Sequence, residues 1–184
     1  MRAPIGSFED ARPASDRLEL LTAPVARAVG EGWGGVPAEQ VIHVDTDPEI
    51  ADTAAFVERH GADLLSRSAN CLVVAGKRAG EVTLAACLVL SRCRVDLNGA
   101  VRGHLGSRKV SFAPMETAVG ATGMEYGGIT PVGLPDGWPL LIDPAVVDEE
   151  WVLIGSGTRR GKLIMPGKAL AALPGAVVVD GLGV

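Results

Sequence analysis

Residues 70–90, with the sequence NCLVVAGKRAGEVTLAACLVL, contain two apolar runs of the length expected for β-strands. Residues 71–75 form the first run and residues 82–90 the second, and the segment GKRAG between them has the composition of a turn. Two such runs joined by a short turn predict an antiparallel hairpin. We therefore expect this hairpin to form the centre of the β-sheet.

Shorter segments on both sides of the hairpin show strand or helix patterns. Further strands are predicted at residues 41–44, 109–112, 140–142, 151–155, 162–165 and 176–179. Helices are predicted at residues 15–29, 48–60, 62–67, 97–105, 114–122 and 167–173, with Asp96 available to cap the fourth. Because strands outnumber helices and most neighbours are close in sequence, the pattern predicts an α+β fold around a mixed, partly closed sheet.

The first 40 residues differ in composition from the rest of the chain. They are rich in Pro and Gly, and their one helical pattern is followed by a glycine-rich segment, residues 30–37, with the character of a linker. We predict an N-terminal extension, residues 1–40, packed on a single domain formed by residues 41–184. A chain of 184 residues is long enough to bury a substantial core without disulfides or metal.

Charge and cysteine content restrict the function classes. The 17 basic and 22 acidic residues give a net charge of −5, which argues against a surface that binds nucleic acid over its whole extent. Any RNA contact must use local basic patches, and two occur at residues 102–109 and 159–162. The three cysteines predict free thiols in a reducing compartment. With no signal-peptide pattern and no apolar run of about 18 residues, we expect a cytoplasmic protein without membrane segments.

Common catalytic motifs are not matched by this sequence. Residues 156–162, SGTRRGK, partly resemble a P-loop, in which a glycine followed by a lysine binds phosphate. The motif is not matched, because Ser156 replaces its first glycine and Leu163 follows the lysine where a residue with a hydroxyl group is needed. The cysteines and the three histidines are scattered, so neither a metal site nor a nucleophile–histidine–carboxylate triad is predicted. We expect no cofactor.

Residues 122–133, TGMEYGGITPVG, hold the most informative glycine-rich segment. Glycines allow a ligand to approach the backbone closely and a proline stiffens the bend, although such a segment on its own is more often a structural turn. A second segment, residues 152–161, reads VLIGSGTRRG. Together the two segments resemble the signature of the YbaK/ProX family, with Thr130 at a position where serine is usual, and the similarity extends from about residue 41 to the C-terminus.

The resemblance implies a fold and an activity. The family has a mixed β-sheet or partial barrel with flanking helices, and a pocket that receives the 3′ end of tRNA. Its members hydrolyse the ester of a mischarged tRNA, mainly proline tRNA carrying alanine or cysteine, without a metal. The implied partner is therefore mischarged tRNA, and an aminoacyl-tRNA synthetase is a second candidate partner.

The same resemblance assigns candidate site residues. One pocket wall is expected from Gly127, Gly128, Ile129, Thr130, Pro131 and Gly133, and a second wall from Ser156 and Gly157. The basic residues expected to contact tRNA are Arg102, Arg108, Arg159, Arg160 and Lys162.

One departure from the family pattern affects the catalytic prediction. The family places a lysine at the start of the first core strand, and Asn70 stands there in this sequence. An amide can orient a substrate but carries no positive charge, so Lys109 on a neighbouring segment is the candidate replacement. The alternative, which Asn70 favours, is a non-catalytic module that binds tRNA ends or a synthetase.

Overall fold

The computed structural model describes residues 1–50 and 53–184 and contains nine strands within them. In chain order these are β1 (Ala11–Pro13), β2 (Ile42–Val44), β3 (Ala69–Arg78), β4 (Glu81–Leu90), β5 (Lys109–Phe112), β6 (Leu140–Ile142), β7 (Val152–Gly155), β8 (Lys162–Met165) and β9 (Ala176–Val178). The helices are α1 (Ala23–Glu31), α2 (Thr53–His60), α3 (Leu64–Arg67), α4 (Arg102–His104), α5 (Met115–Thr122), α6 (Pro144–Asp148) and α7 (Gly167–Ala171).

The strands form two sheets. The five-stranded sheet has the order β5-β3-β4-β6-β9, in which the β4–β6 and β6–β9 pairs are parallel and the others antiparallel. The four-stranded sheet has the order β1-β2-β8-β7 and is antiparallel throughout. The predicted α+β class with a mixed sheet is confirmed, but the strands divide between two sheets and no closed barrel forms among the described residues.

The predicted hairpin is present at the centre of the five-stranded sheet. It pairs Ala69 with Leu90 at one end and Arg78 with Glu81 at the other, so both strands are longer than their apolar runs. The turn itself is only Ala79 and Gly80, both with positive φ, as expected for a tight two-residue hairpin loop. Three residues that the sequence placed in the turn therefore belong to β3.

Two predicted helices differ from the structure. The pattern at residues 15–29 is split into a 3-10 helix, Ala14–Leu20, and α1, because Leu21 and Thr22 between them are extended and α1 then begins with Pro24 in its first turn. The predicted helix 48–60 begins too early, since residues 47–50 form a turn in which the Ile50 amide donates to the Asp47 carbonyl at 3.1 Å. Residues 51 and 52, also within this prediction, lie outside the described residues.

The predicted helix at residues 97–105 and its cap are present. The Asp96 carboxylate accepts hydrogen bonds from the Gly99 and Ala100 amides at 3.0 and 2.9 Å, which satisfies two donors at the start of the helix. The first part is a π-type turn, Leu97–Val101, and α4 follows it directly. Strand β1, the short 3-10 helix Ala38–Gln40 and helix α6 were not predicted.

The N-terminal segment packs against the main hydrophobic core. Val25 and Val29 of α1 are buried there with Leu21, beside residues of both sheets. The Trp33 indole donates a hydrogen bond to the Ala169 carbonyl at 2.9 Å, and β1 forms the edge of the four-stranded sheet. The division into an extension and a domain remains a prediction. Within the described residues, no helix has the length and apolar character required to cross a bilayer.

Candidate functional site

A cavity of about 530 Å³ opens where the two sheets meet. This volume lies in the range of small-molecule sites. Its apolar lining includes Phe56, Val57, Leu72, Val73, Phe112, Met115, Ala118, Ile129, Leu153 and Ile154. Its polar lining includes Ser68, Asn70, Cys71, Ser91, Tyr126 and Lys162, and Gly127 and Gly155 contribute backbone.

Strand pairing brings the polar residues of the cavity together. A parallel bridge joins Ser68, just before β3, to Leu153 of β7. Asn70 and Gly155, each two residues further along its own strand, both line the cavity, and Gly155 is the cross-strand partner of Lys162 in β8. Side chains two residues apart on a strand share a face, so Ser68 and Asn70 face the same side. Asn70 and Lys162 thus lie on either side of Gly155.

The two glycine-rich segments pack backbone against backbone. A Cβ atom on Gly155 would lie 2.5 Å from the Gly128 carbonyl oxygen and 2.6 Å from that of Ile129. A Cβ on Gly128 would overlap the Thr158 backbone. The Gly157 amide donates to the Gly128 carbonyl at 2.8 Å, and the Glu125 amide donates to the Gly157 carbonyl at 2.8 Å. The glycines at 128 and 155 are therefore required by the contact between the segments.

The predicted first wall is only partly correct. Gly127 and Ile129 line the cavity, and Gly127 has a φ of +85° with open space beside it. Thr130 and Pro131 are buried and do not line it. Gly128 faces the Thr158 backbone and Gly133 faces the Pro24 backbone, rather than a ligand.

The predicted second wall is displaced from the cavity. Ser156 is fully buried, and its hydroxyl donates to the Gly161 carbonyl at 3.0 Å within its own turn. A Cβ on Gly157 would overlap Thr22 in the N-terminal segment. The expectation that Thr130 and Ser156 face one cleft with Asn70 is therefore corrected, because only Asn70 does. Gly155 takes the place assigned to Ser156 and Gly157.

The polar groups of the cavity differ in charge state. Burial raises the pKa of the Cys71 thiol well above its usual range, so this thiol is protonated at neutral pH and is not an activated nucleophile. Lys162 is half-buried, and burial together with the nearby Arg159 lowers the pKa of its ammonium group. No carboxylate lines the cavity among the described residues.

The sequence profile of the aminoacyl-tRNA editing domain family matches residues 47–173, more than two thirds of the chain. This chain belongs to that family. The matched region includes both glycine-rich segments and all of the described residues that line the cavity. The resemblance inferred from those segments is thereby confirmed. No curated protein matches the chain.

Solved structures agree with this assignment. A protein described as a candidate trans-editing enzyme for prolyl-tRNA synthetase is 25% identical, with a TM-score of 0.68 over 86% of this chain and 96% of the other. A scaffold protein from an epitope-grafting design study, 22% identical, has a TM-score of 0.70 over 86% of this chain and 95% of the other. A hypothetical protein, 23% identical, has a TM-score of 0.65 over the same shares of the two chains. The last two show the fold alone.

Lys109, the predicted replacement for the missing lysine, lies outside the cavity of this editing domain. It pairs with Lys77 near the far end of the hairpin, seven residues along β3 from Asn70. At about 3.3 Å per residue that separation is about 23 Å. Lys109 instead lines a second, shallow groove with Lys77, Arg78 and Arg108. The predicted placement of Lys109 in the cavity is therefore corrected, because β5 carries it to the hairpin tip.

The predicted tRNA-binding residues are divided among three places. Arg102 and Arg108 are exposed, and Arg108 belongs to the cluster at the hairpin tip. Arg160 makes a two-pronged ion pair with Asp45, at 2.8 and 2.6 Å, which also lowers the pKa of that carboxyl group. Arg159 is exposed, and no described residue bonds to its side chain. Lys162 lies inside the cavity and not on the outer patch.

Exposed apolar side chains at the cavity were missed by sequence reasoning. Phe112, Met115 and Tyr126 line the cavity and are 51%, 54% and 61% exposed. Aromatic residues make up only 4% of this chain, but their exposure and their position at the cavity are tertiary properties that composition does not show. Among the described residues, no group of three potential ligands could hold a metal ion.

Proposed function

We propose that this editing domain hydrolyses the ester bond between a wrong amino acid and the 3′-terminal ribose of tRNA, with mischarged proline tRNA as the first candidate substrate. The observation that carries the proposal is the cavity at the junction of the sheets, inside the region that matches the editing family. The structural similarity to a candidate trans-editing enzyme for prolyl-tRNA synthetase supports the choice of proline tRNA.

The lining of the cavity favours direct attack by water. The Cys71 thiol is held protonated by burial, and the Ser68 hydroxyl donates to the Leu64 carbonyl at 2.6 Å, so neither is available as an activated nucleophile. In the proposed reaction water adds to the ester carbonyl carbon, and the tetrahedral intermediate expels the ribose oxygen. The ribose oxygen takes up a proton, and the products are a free amino acid and uncharged tRNA. The site accelerates this step by holding the ester in place.

The rim offers a surface for the terminal adenine. Tyr126 and Phe112 present exposed rings beside the cavity. Unpaired bases in protein–RNA complexes commonly stack on aromatic side chains, at about 1–3 kcal/mol per base. Stacking at the rim would leave the apolar interior for the amino acid side chain.

Basic residues outside the cavity would contact the tRNA backbone. Arg159 follows the second glycine-rich segment, and the cluster of Lys77, Arg78, Arg108 and Lys109 lies at the hairpin tip. Phosphate contacts by such groups give sequence-independent affinity that weakens as salt rises. A cytoplasmic location and a synthetase as transient partner are consistent with this substrate.

A deacylation assay over a panel of mischarged tRNAs tests the proposal. We expect hydrolysis of at least one mischarged proline tRNA, and much slower hydrolysis of correctly charged prolyl-tRNA. Correctly charged tRNAs of other identities are the control for general ester hydrolysis. If no mischarged tRNA is hydrolysed while the protein binds tRNA ends, the non-catalytic module that Asn70 favours becomes the better account.

A further inference from the structure

The cavity contains one charged side chain among its described lining residues, that of Lys162. Lys162 reaches it from β8, which belongs to the four-stranded sheet, whereas Asn70 reaches it from the five-stranded sheet. The charged side chain therefore comes from the four-stranded sheet, whereas the family lysine that Asn70 replaces would lie on the five-stranded sheet.

Lys162 has no counter-charge among the residues that the structure describes. Within the described part of the chain, no carboxylate lies within ion-pair distance and no hydrogen bond to its ammonium is formed. Two residues earlier, Arg160 is fully paired with Asp45. Burying part of an ammonium without a partner is unfavourable, so a structural role would be better served by a neutral side chain.

The position of Lys162 relative to Asn70 suits a small ligand group between them. Asn70, Gly155 and Lys162 line the same cavity, and Gly155 pairs with Lys162. Strand β7 lies between the start of β3, which carries Asn70, and β8, which carries Lys162. Adjacent strands are about 4.8 Å apart, so the backbones of β3 and β8 are roughly 10 Å from each other here. The carbonyl groups of Gly128 and Ile129 pack against the face of Gly155 that a side chain would occupy, and Gly127 and Ile129 line the same cavity.

We infer that Lys162 is the residue that binds the ester carbonyl oxygen of the substrate and stabilises the negative charge that develops on it during hydrolysis. This inference rests on the proposed function and adds the group that supplies the charge. In the step itself, water forms a bond to the carbonyl carbon while the C=O electron pair moves onto oxygen. The Lys162 ammonium donates a hydrogen bond to that oxygen, and Asn70 orients the ester from the other side.

The surroundings of Lys162 support this role. A cation in a partly dry site acts on developing negative charge more strongly than the same cation in water. The lowered pKa of Lys162 reflects such a site, and perturbed groups of this kind concentrate at functional positions. The substrate's own α-ammonium is repelled by Lys162, which favours a pose with the carbonyl towards β8 and the amine away from it.

Kinetics of Lys162→Met, which keeps length without charge, test the inference. We expect kcat to fall by about a hundred- to a thousand-fold, with KM and tRNA affinity nearly unchanged. Lys162→Arg should retain more of the rate than Lys162→Met. The matched control is Lys168→Met, since Lys168 is an exposed lysine on α7 that does not line the cavity. Thermal unfolding should show that Lys162→Met is folded and no less stable than wild type.

A second measurement does not depend on turnover. A 3′-linked phosphonate analogue of an aminoacyl-adenosine carries an anionic tetrahedral centre like that of the intermediate. Wild type should bind this analogue at least about tenfold more tightly than Lys162→Met does, which corresponds to about 1.4 kcal/mol. If wild type hydrolyses no mischarged tRNA but still binds the analogue more tightly than Lys162→Met does, the Lys162 contact is supported and the proposed function is rejected. Equal binding by both proteins, or a raised KM with unchanged kcat, would overturn the inference.

Discussion

Arg159 and Arg160 are adjacent in sequence, but their side chains have different contacts. Arg160 is held by Asp45 through two hydrogen bonds, whereas Arg159 is exposed and its backbone amide alone is bound by a described residue, the Glu125 carboxylate at 2.6 Å. A paired arginine must give up its carboxylate before it can bind phosphate. Arg159 is therefore the better candidate for a tRNA contact, although the sequence presented both as equivalent.

Replacing each arginine by glutamine tests this difference. Arg159→Gln should weaken tRNA binding and reduce the slope of log affinity against log salt by about 0.7 to 0.9, the loss of one phosphate contact. Arg160→Gln should leave the slope nearly unchanged and have little effect on folding stability, because its ion pair is at the surface. Binding titrations at several salt concentrations provide the measurement. Equal slopes for wild type and Arg159→Gln would remove Arg159 from the RNA contact.

At the scale of elements, the two glycine-rich segments act as one unit. They are joined by amide–carbonyl hydrogen bonds between Gly157 and Gly128 and between Glu125 and Gly157. Their glycines permit a backbone contact that any side chain would block. The cavity wall formed by Gly127 and Ile129 depends on this contact, since it holds the first segment against β7.

A pair of glycine substitutions measures the contact between the segments. Gly128→Ala places a methyl group onto the Thr158 backbone and should lower the free energy of unfolding by about 1–3 kcal/mol. Deacylation should fall with it, because the cavity wall shifts. The control is Gly120→Ala on the exposed side of α5, where a Cβ meets nothing within 4 Å and helix propensity predicts a gain of up to about 1 kcal/mol. Denaturant unfolding that ranks the two variants in the opposite order would contradict this account.

At the scale of the whole molecule, the first 40 residues contribute to the core. They supply Leu21, Val25 and Val29 to the main hydrophobic cluster and β1 to the edge of a sheet. The family profile begins only at residue 47, so this contribution lies outside the matched region. Thr22 and Pro24 also contact the glycines at positions 157 and 133, which connects the N-terminal segment to both glycine-rich segments.

Deleting residues 1–40 should therefore abolish cooperative folding. The deletion removes buried apolar area from the main core and exposes the edge of β2. A milder variant, Val25→Ala, should stay folded and lose roughly 2 kcal/mol of unfolding free energy. Circular dichroism during thermal unfolding measures both effects. A fragment 41–184 with the same unfolding midpoint as the full chain would show instead that residues 1–40 are a dispensable extension.

The sequence by itself determined the local elements and the family. The hairpin, the strands at 109–112 and 162–165 and the Asp96 cap follow from patterns within a few residues, since side-chain periodicity and turn chemistry act locally. The two glycine-rich segments were recognisable for the same reason. Element ends were less accurate, as the split of the helix predicted at residues 15–29 shows.

Only the tertiary structure decided which residues share the cavity. Asn70, Gly155 and Lys162 are far apart in sequence and come together because Ser68 pairs with Leu153 where the two sheets meet. Local patterns cannot specify this junction, so Lys162 was assigned to an outer basic patch and Lys109 to the cavity. The structure reverses both assignments, because β8 carries Lys162 into the cavity and β5 carries Lys109 to the distant hairpin tip.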